Sequence, residues 1–190
     1  MRKKLCKGLI IGWLTAILLT PFATLAEQEV DQQLVALLKA TIAQADSFED
    51  RFDAEVWLMA KSSQLEKFIP DSRERLELLR KIHLAATRAG LSPEIVLAVI
   101  QIESRFDPYA VSRAGAQGLM QVMPFWKREI GREEDNLIHV DTNLRYGCTI
   151  LKYYLDMEDG DLTPALARYN GSYGKTWYSE LVLVAWDNWR

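Results

Sequence analysis

Apolar residues recur at helical spacing along most of the chain, and no segment alternates with the period of a strand. After Asp71 and Ser72, either of which would serve as an N-cap, Leu76, Leu79, His83 and Ala86 fall on one stripe. Arg73, Glu77 and Lys81 follow at i, i+4, and Gly90 closes the helix. The next helix opens with Ser92 as cap, Pro93 at its first position and Glu94 near the positive end of the dipole. Residues 95–102 are apolar all round except for Gln101, so this helix is expected to be buried on most sides, with Pro108 preventing long continuation. Farther on, Asp141 is expected to cap a helix that carries Leu144, Gly147, Cys148, Leu151 and Leu155 on one face, Gly147 allowing a neighbour to approach closely. Thr163-Pro164 reads as another helix start, ending near Asn170-Gly171, and residues 173–189 read as a C-terminal helix. Two weaker amphipathic stretches precede these, one marked by Leu34, Leu37 and Leu38, the other by Phe52, Val56, Met59 and Leu65. The expected fold class is all-α, with room for one small hairpin.

The first 26 residues stand apart. Arg2, Lys3, Lys4 and Lys7 form a basic start, residues 9–20 are apolar, Pro21 breaks the run, and Thr24-Leu25-Ala26 offers small residues for a cut after Ala26. That is the layout of a secretory signal peptide, with export as the expectation. A retained membrane anchor is the competing reading, since residues 8–26 carry no charge over a length that just spans a bilayer. The expected organisation is a signal peptide at 1–26, a helical extension at 27–70 and the main helical body at 71–190.

Charge changes the picture once that segment is set aside. The chain carries −3 overall, but residues 27–190 hold 19 Lys and Arg against 26 Asp and Glu, a net −7. Such a body would repel a phosphate backbone, which argues against nucleic acid as a partner. Hydrophobic residues make up 49% of the chain, enough for a real core, and this excludes a disordered protein. Of the two cysteines Cys6 lies in the leader, leaving Cys148 alone and no intrachain disulfide in the processed chain. Cys148 is expected to be a buried core residue, and His83, His139 and Cys148 lack metal-ligand spacing, so no metal or cofactor is implied.

Glu103 is the anomaly that points to chemistry. It lies in the last turn of a greasy helix, where the dipole and the low-dielectric surroundings both disfavour a charged carboxylate. Both raise its pKa, the condition a general acid needs near neutral pH. The following residues run Glu103-Ser104-Arg105-Phe106-Asp107-Pro108-Tyr109-Ala110-Val111-Ser112-Arg113-Ala114-Gly115-Ala116-Gln117-Gly118-Leu119-Met120-Gln121-Val122-Met123-Pro124. Gly115 and Gly118 do not form a phosphate loop, since no Gly-Lys-Ser/Thr follows.

This segment resembles the catalytic signature of the soluble lytic transglycosylases, E-S-x-F-x-P-x-A-x-S-x-x-G-A-x-G-L-M-Q-x-M-P, at every specified position. A second element of that family, A-x-Y-N, appears as Ala167-Arg168-Tyr169-Asn170. The resemblance implies a lysozyme-like α domain of the goose type. It also implies an enzyme that cuts the β-1,4 bond between N-acetylmuramic acid and N-acetylglucosamine in peptidoglycan without water, leaving a 1,6-anhydro end. By position it makes Glu103 the sole acid and then base. It gives Ser112 the orientation of the substrate's N-acetyl group, places Gln121 and Met123 along the sugar cleft, and puts Tyr169 in contact with Glu103 with Asn170 beside it. Glycan strands are the implied partner and cell-envelope machinery a further one; a membrane is a partner only if the leader is retained.

Two rivals remain open at this stage. A hydrolytic muramidase would need a second carboxyl, for which Asp107 is the nearest candidate. A non-catalytic peptidoglycan-binding scaffold would keep the fold without needing a protonated acid. The chain also departs from the family pattern. Phe125-Trp126 follows Pro124 where Thr is frequent two residues on, and these rings are open to either sugar stacking or core packing. Gly171-Ser172 replaces a frequent A-G after Asn170, while Trp177, Trp186 and Trp189 read as core residues.

Overall fold

A computed structural model of the chain describes residues 50–190 and, ahead of them, Ala36, Thr41, Ser47 and Phe48. The expected leader at 1–26 and the stretch marked by Leu34, Leu37 and Leu38 lie outside the described residues. Seven helices are described: α1 (Arg51–Leu65), α2 (Ser72–Ala89), α3 (Pro93–Glu103), α4 (Trp126–Ile130), α5 (Val140–Met157), α6 (Leu162–Asn170) and α7 (Trp177–Trp189). No strand is formed among the described residues. The hairpin left open by the sequence reduces to two isolated bridges, Val111 with Gln117 and Gln117 with Val122. The fold is all-α.

The centre is α3, where Ile95, Val96, Leu97, Ala98, Val99 and Ile100 are all buried, as an apolar helix without a polar face requires. It packs chiefly on α7 and also on α2; α5 joins α2 to α6, and α6 returns to α7. Its start is built as expected. Ser92 Oγ accepts from Glu94 N, and the Glu94 carboxylate in turn accepts from Trp57 Nε1 at 2.7 Å, tying α1 to α3. At α2 the cap is Asp71, which accepts from Glu74 N at 2.8 Å, and Gly90 ends the helix in the left-handed region at φ 69°.

Three expected boundaries shift. Helix α5 begins at Val140 with His139 as its cap, because Asp141 lies inside the first turn and pairs with Lys81 across to α2. Helix α6 is capped by Asp161, whose carboxylate accepts from Thr163 N at 2.9 Å, so Thr163-Pro164 falls inside the first turn. Helix α7 starts at Trp177, leaving Tyr173 outside it and beneath the Arg168 guanidinium.

The stripe expected on α1 is corrected. Phe52 is 71% exposed, Val56 and Met59 are exposed, and of the four marked residues only Leu65 is buried. The buried face is Ala54, Leu58, Lys61, Ser62 and Leu65. Two polar residues take core positions there because each has a partner. The Lys61 ammonium donates to the Trp189 carbonyl at the negative end of α7, and Ser62 Oγ accepts from Arg75 Nε at 3.1 Å. Bulk therefore misleads where satisfied polar groups carry the interface.

The signature segment forms the loop region 104–125, fastened to α5 by one side chain. Asn143 is fully buried. Its Oδ1 accepts from Met120 N, and its Nδ2 donates to the carbonyls of Gln117 and Leu137, all at 2.8 Å. Gly147 sits where an added Cβ would collide with the Met120 side chain, which is the close approach its position on α5 suggested.

Candidate active site

Glu103 is the last residue of α3, and Ser104 N bonds back to Ile100 O at 3.0 Å as the helix ends. Beyond it Arg105 and Phe106 take positive φ of 53° and 68°, turning the chain sharply away. That strained turn is held by the burial of Phe106 between Phe68 and Trp189, with ring centroids at 5.0 and 5.7 Å. The carboxyl is thereby fixed, half-buried, at the edge of the core. Burial lifts it from its ordinary 4.5 to about 7, while the hydroxyl of Tyr178, donating to Oε1 at 2.6 Å, pulls the other way by favouring the ionised form. Burial first, and the nearby Glu103 charge second, hold the Tyr178 hydroxyl well above its usual range, so it remains a donor.

Tyr178 is the residue that the sequence did not single out for this role. Tyr169, expected to contact Glu103, donates its hydroxyl hydrogen to the Met120 carbonyl at 2.7 Å, bracing the signature loop against α6. Its hydroxyl is also held well above the usual range, by burial and then by the charge of Glu103, so it lies within the electrostatic reach of that carboxyl. Tyr178 is the second residue of α7, in its first turn after the cap residue Thr176. Its signal in the sequence was faint: a tyrosine at the buried face of a helix expected to pack on the core.

The loop residues are tightly specified. Ser112 Oγ accepts from Ala116 N at 3.0 Å, leaving its own proton free to donate. Gln121 has φ 48°, and both hydrogens of its amide nitrogen are used, on the carbonyls of Ala110 at 3.1 Å and Gly118 at 2.9 Å. Its Oε1 remains an acceptor. Gly118 has φ 72°, and a Cβ there would stand 2.5 Å from Asn143 Nδ2, so only glycine fits. Met123 is half-buried, and Asn170 is exposed at the end of α6, where Gly171 closes the helix at φ 77°.

The other groups raised by the sequence are held in structural roles. Asp107 is exposed and accepts from Tyr109 N at 2.9 Å, capping the turn after Glu103. Burial drives the Cys148 thiol up to about 12, so it stays protonated. His83 stacks on Phe48 at 3.5 Å and shares a hydrogen bond with Ser47 Oγ at 2.8 Å. Among the described residues no three His, Cys, Asp or Glu converge on a point where a metal could bind. Nor is any single described helix long and apolar enough to cross a membrane.

The comparisons with known proteins converge on one family. Residues 80–180 match the family model described as the transglycosylase SLT domain, more than half of the chain. Over 62 residues the chain is 47% identical to the membrane-bound lytic murein transglycosylase C of Actinobacillus pleuropneumoniae serotype 5b (strain L20), covering 33% of this chain and 15% of that protein. It is 34% identical over 96 residues to a transglycosylase of Enterobacteria phage PRD1, covering 50% of this chain and 35% of that one. A solved structure of an inactive mutant of the lytic transglycosylase Slt from Pseudomonas aeruginosa aligns with a TM-score of 0.46 at 20% identity, over 74% of this chain and 30% of that one. The chain thus spans only a small part of the length of the curated relatives it matches. With the signature loop, the A-x-Y-N element and Glu103 all inside the matched region, this chain belongs to the transglycosylase SLT domain family.

Proposed function

We propose that the protein is a lytic transglycosylase that cleaves the bond from N-acetylmuramic acid to N-acetylglucosamine in peptidoglycan, with Glu103 as its only acid and base. The observation that carries this reading is the Glu103 carboxyl, half-buried, bonded to Tyr178 and lifted to about 7, where it exchanges a proton readily near neutrality. The protonated carboxyl gives its hydrogen to the bridging oxygen, and the bond from that oxygen to C1 of the muramoyl unit breaks. The charge that develops at C1 is met by the substrate's own N-acetyl oxygen or directly by its O6. The Glu103 carboxylate then takes the O6 proton as O6 bonds to C1, which closes the 1,6-anhydro ring and restores the acid. No water is consumed.

Ser112, with its proton free, donates to the N-acetyl carbonyl and aligns it with C1. Gln121 presents Oε1 as an acceptor for a sugar N–H or hydroxyl, and Met123 and Asn170 line the cleft. Tyr178 holds the carboxyl oxygen in place, and Tyr169 holds the loop. The muramidase reading requires a second carboxyl, and Asp107 is engaged as a turn cap at an exposed position. The basic and apolar start at 1–26 supports export, so the enzyme would act in the periplasm on glycan strands.

Mass spectrometry of the products released from purified peptidoglycan tests the reading. Anhydro-ended fragments from wild type that vanish in Glu103→Gln are expected. Hydrated ends would replace it with the muramidase, and no fragments at all with the scaffold.

A further inference from the structure

Outside the signature loop the chain carries a second feature suited to sugar. Four aromatic rings follow one another away from that loop. Phe125 lies 5.1 Å from Trp126, Trp126 6.4 Å from Tyr154, and Tyr154 5.4 Å from Tyr153, centroid to centroid. Trp126, Tyr154 and Tyr153 line a cavity of about 500 Å³ between α4, α5 and α6, together with Met157, Glu129 and Arg168. The volume lies in the range of small-ligand sites. Tyr153 is 55% exposed and Phe125 46% exposed, so the rings at both ends of the series offer surface that the core does not use.

The polar groups favour one kind of occupant. Arg168 is held by Glu158 and lies 3.8 Å above the Tyr173 ring, so it is fixed at the rim rather than free to sweep solvent. Glu129 provides an exposed acceptor on α4. Rings with a cation and an anion at the edge suit a pyranose, which has an apolar C–H face and a rim of hydroxyl and amide groups. Two of the residues that line it are close in sequence to candidate cleft residues: Trp126 comes three residues after Met123, and Arg168 immediately precedes Tyr169.

We infer that the groove at Trp126, Tyr153 and Arg168 binds an N-acetylhexosamine unit of the glycan strand outside the loop that carries Ser112 and Gln121. This rests on the reading of Glu103 as the acid, and it would make the enzyme favour long strands over short ones.

The test uses the uncleaving Glu103→Gln protein and N-acetylglucosamine oligomers of two and six units, with affinities measured by calorimetry. Tyr153→Ala should weaken the hexamer by roughly three- to tenfold and leave the dimer unchanged. Tyr153→Phe, which keeps the ring, should bind as the parent does. Because Tyr153 is exposed, its removal does not threaten the fold, and the assigned indole N–H signal of Trp126 gives a second readout, shifting with the hexamer and not with the dimer. Equal hexamer affinity in Tyr153→Ala, or an unmoved Trp126 signal, would overturn the site. The product analysis with wild type is independent. Anhydro products with an indifferent Tyr153→Ala would sink the groove alone, whereas Tyr153-dependent binding without any cleavage would sink the catalytic reading and keep the groove as a glycan site.

Discussion

The Tyr178 hydroxyl stands 2.6 Å from Glu103 Oε1 and links the start of α7 to the end of α3. Two opposing influences meet in that contact. Burial makes the carboxyl hold its proton, and the hydroxyl makes it readier to let go. An acid that must become a base within one turnover needs both, since a carboxyl pushed too far in either direction would fail at one of its two steps.

Tyr178→Phe separates these influences. With the donor gone and the burial kept, the Glu103 pKa should rise further above about 7. Cleavage that depends on the protonated acid falls off above that pKa, so the descending limb of the pH–rate profile should move to higher pH. The maximum rate should fall roughly ten- to a hundredfold as the carboxyl loses its anchor. Turbidity clearing of peptidoglycan between pH 5 and pH 9 measures both. A lowered rate with an unmoved limb would mean that Tyr178 acts only through packing.

Glu103→Gln should cost activity and gain stability. The folded pKa of about 7 lies above the unfolded value near 4.5. The stabilisation linked to this proton is full below about 4.5 and is lost as pH rises through 7, where the buried carboxyl must ionise. Glutamine never ionises. At pH 8 the variant should therefore be more stable by on the order of 2–3 kcal/mol, or roughly 5–10 °C in melting temperature. The gap should close at pH 4. Calorimetric melting at the two pH values decides it.

The sequence made Glu103, its helix and the glycine-rich loop legible because each is a local matter. A cap, a proline, an apolar run and a family signature all lie within a few residues of the group they explain. Tyr178 was not legible, since its partner is 75 positions away and only the packing of α7 on α3 brings them together. Nor was the hydrogen-bond partner of Tyr169 legible: the resemblance set this residue against Glu103, whose charge does reach it, but its hydroxyl donates to Met120 O, 49 positions away. The exposed face of α1 was misread because Phe52, Val56 and Met59 outweigh Lys61 and Ser62 on any hydrophobic count. The partners that let those two be buried, the Trp189 carbonyl and Arg75, come from elsewhere in the chain.

His83 should oppose Glu103 in the acid stability of the fold. Burial, set against the raising effect of the Glu94 charge, lowers its pKa from 6.5 to about 4. The unfolded chain therefore takes up this proton first. Stability from the neutral ring is full above 6.5 and is lost as pH falls through 4. Over the same interval the Glu103 contribution runs the other way, so the wild-type melting temperature should vary little between pH 4.5 and 6.5. Glu103→Gln should expose the histidine slope, with stability rising from pH 4 to 6.5. His83→Gln should expose the glutamate slope, with stability falling from 4.5 to 7. Parallel curves in all three proteins would refute the assignment.

Asn143 should prove to be the residue on which the geometry of the cleft most depends, although it touches no substrate. Its one side chain satisfies Met120 N, Gln117 O and Leu137 O inside the core. Asn143→Leu is similar in size but can neither donate nor accept, so it leaves Met120 N and Leu137 O unpaired, while Gln117 O keeps its bond from Val122 N. The expected loss is on the order of 3 kcal/mol or more, measured by urea unfolding. Asn143→Asp keeps the acceptor for Met120 N but brings an unprotonated oxygen to face two carbonyls, so it should lose nearly as much above neutral pH and recover part of it in acid, where the carboxyl regains a proton to donate. The loop carries Ser112 and Gln121, so both variants should also lose cleavage at temperatures where the fold is still intact by far-ultraviolet dichroism. If activity instead follows global unfolding alone, the loop does not depend on Asn143 for its shape.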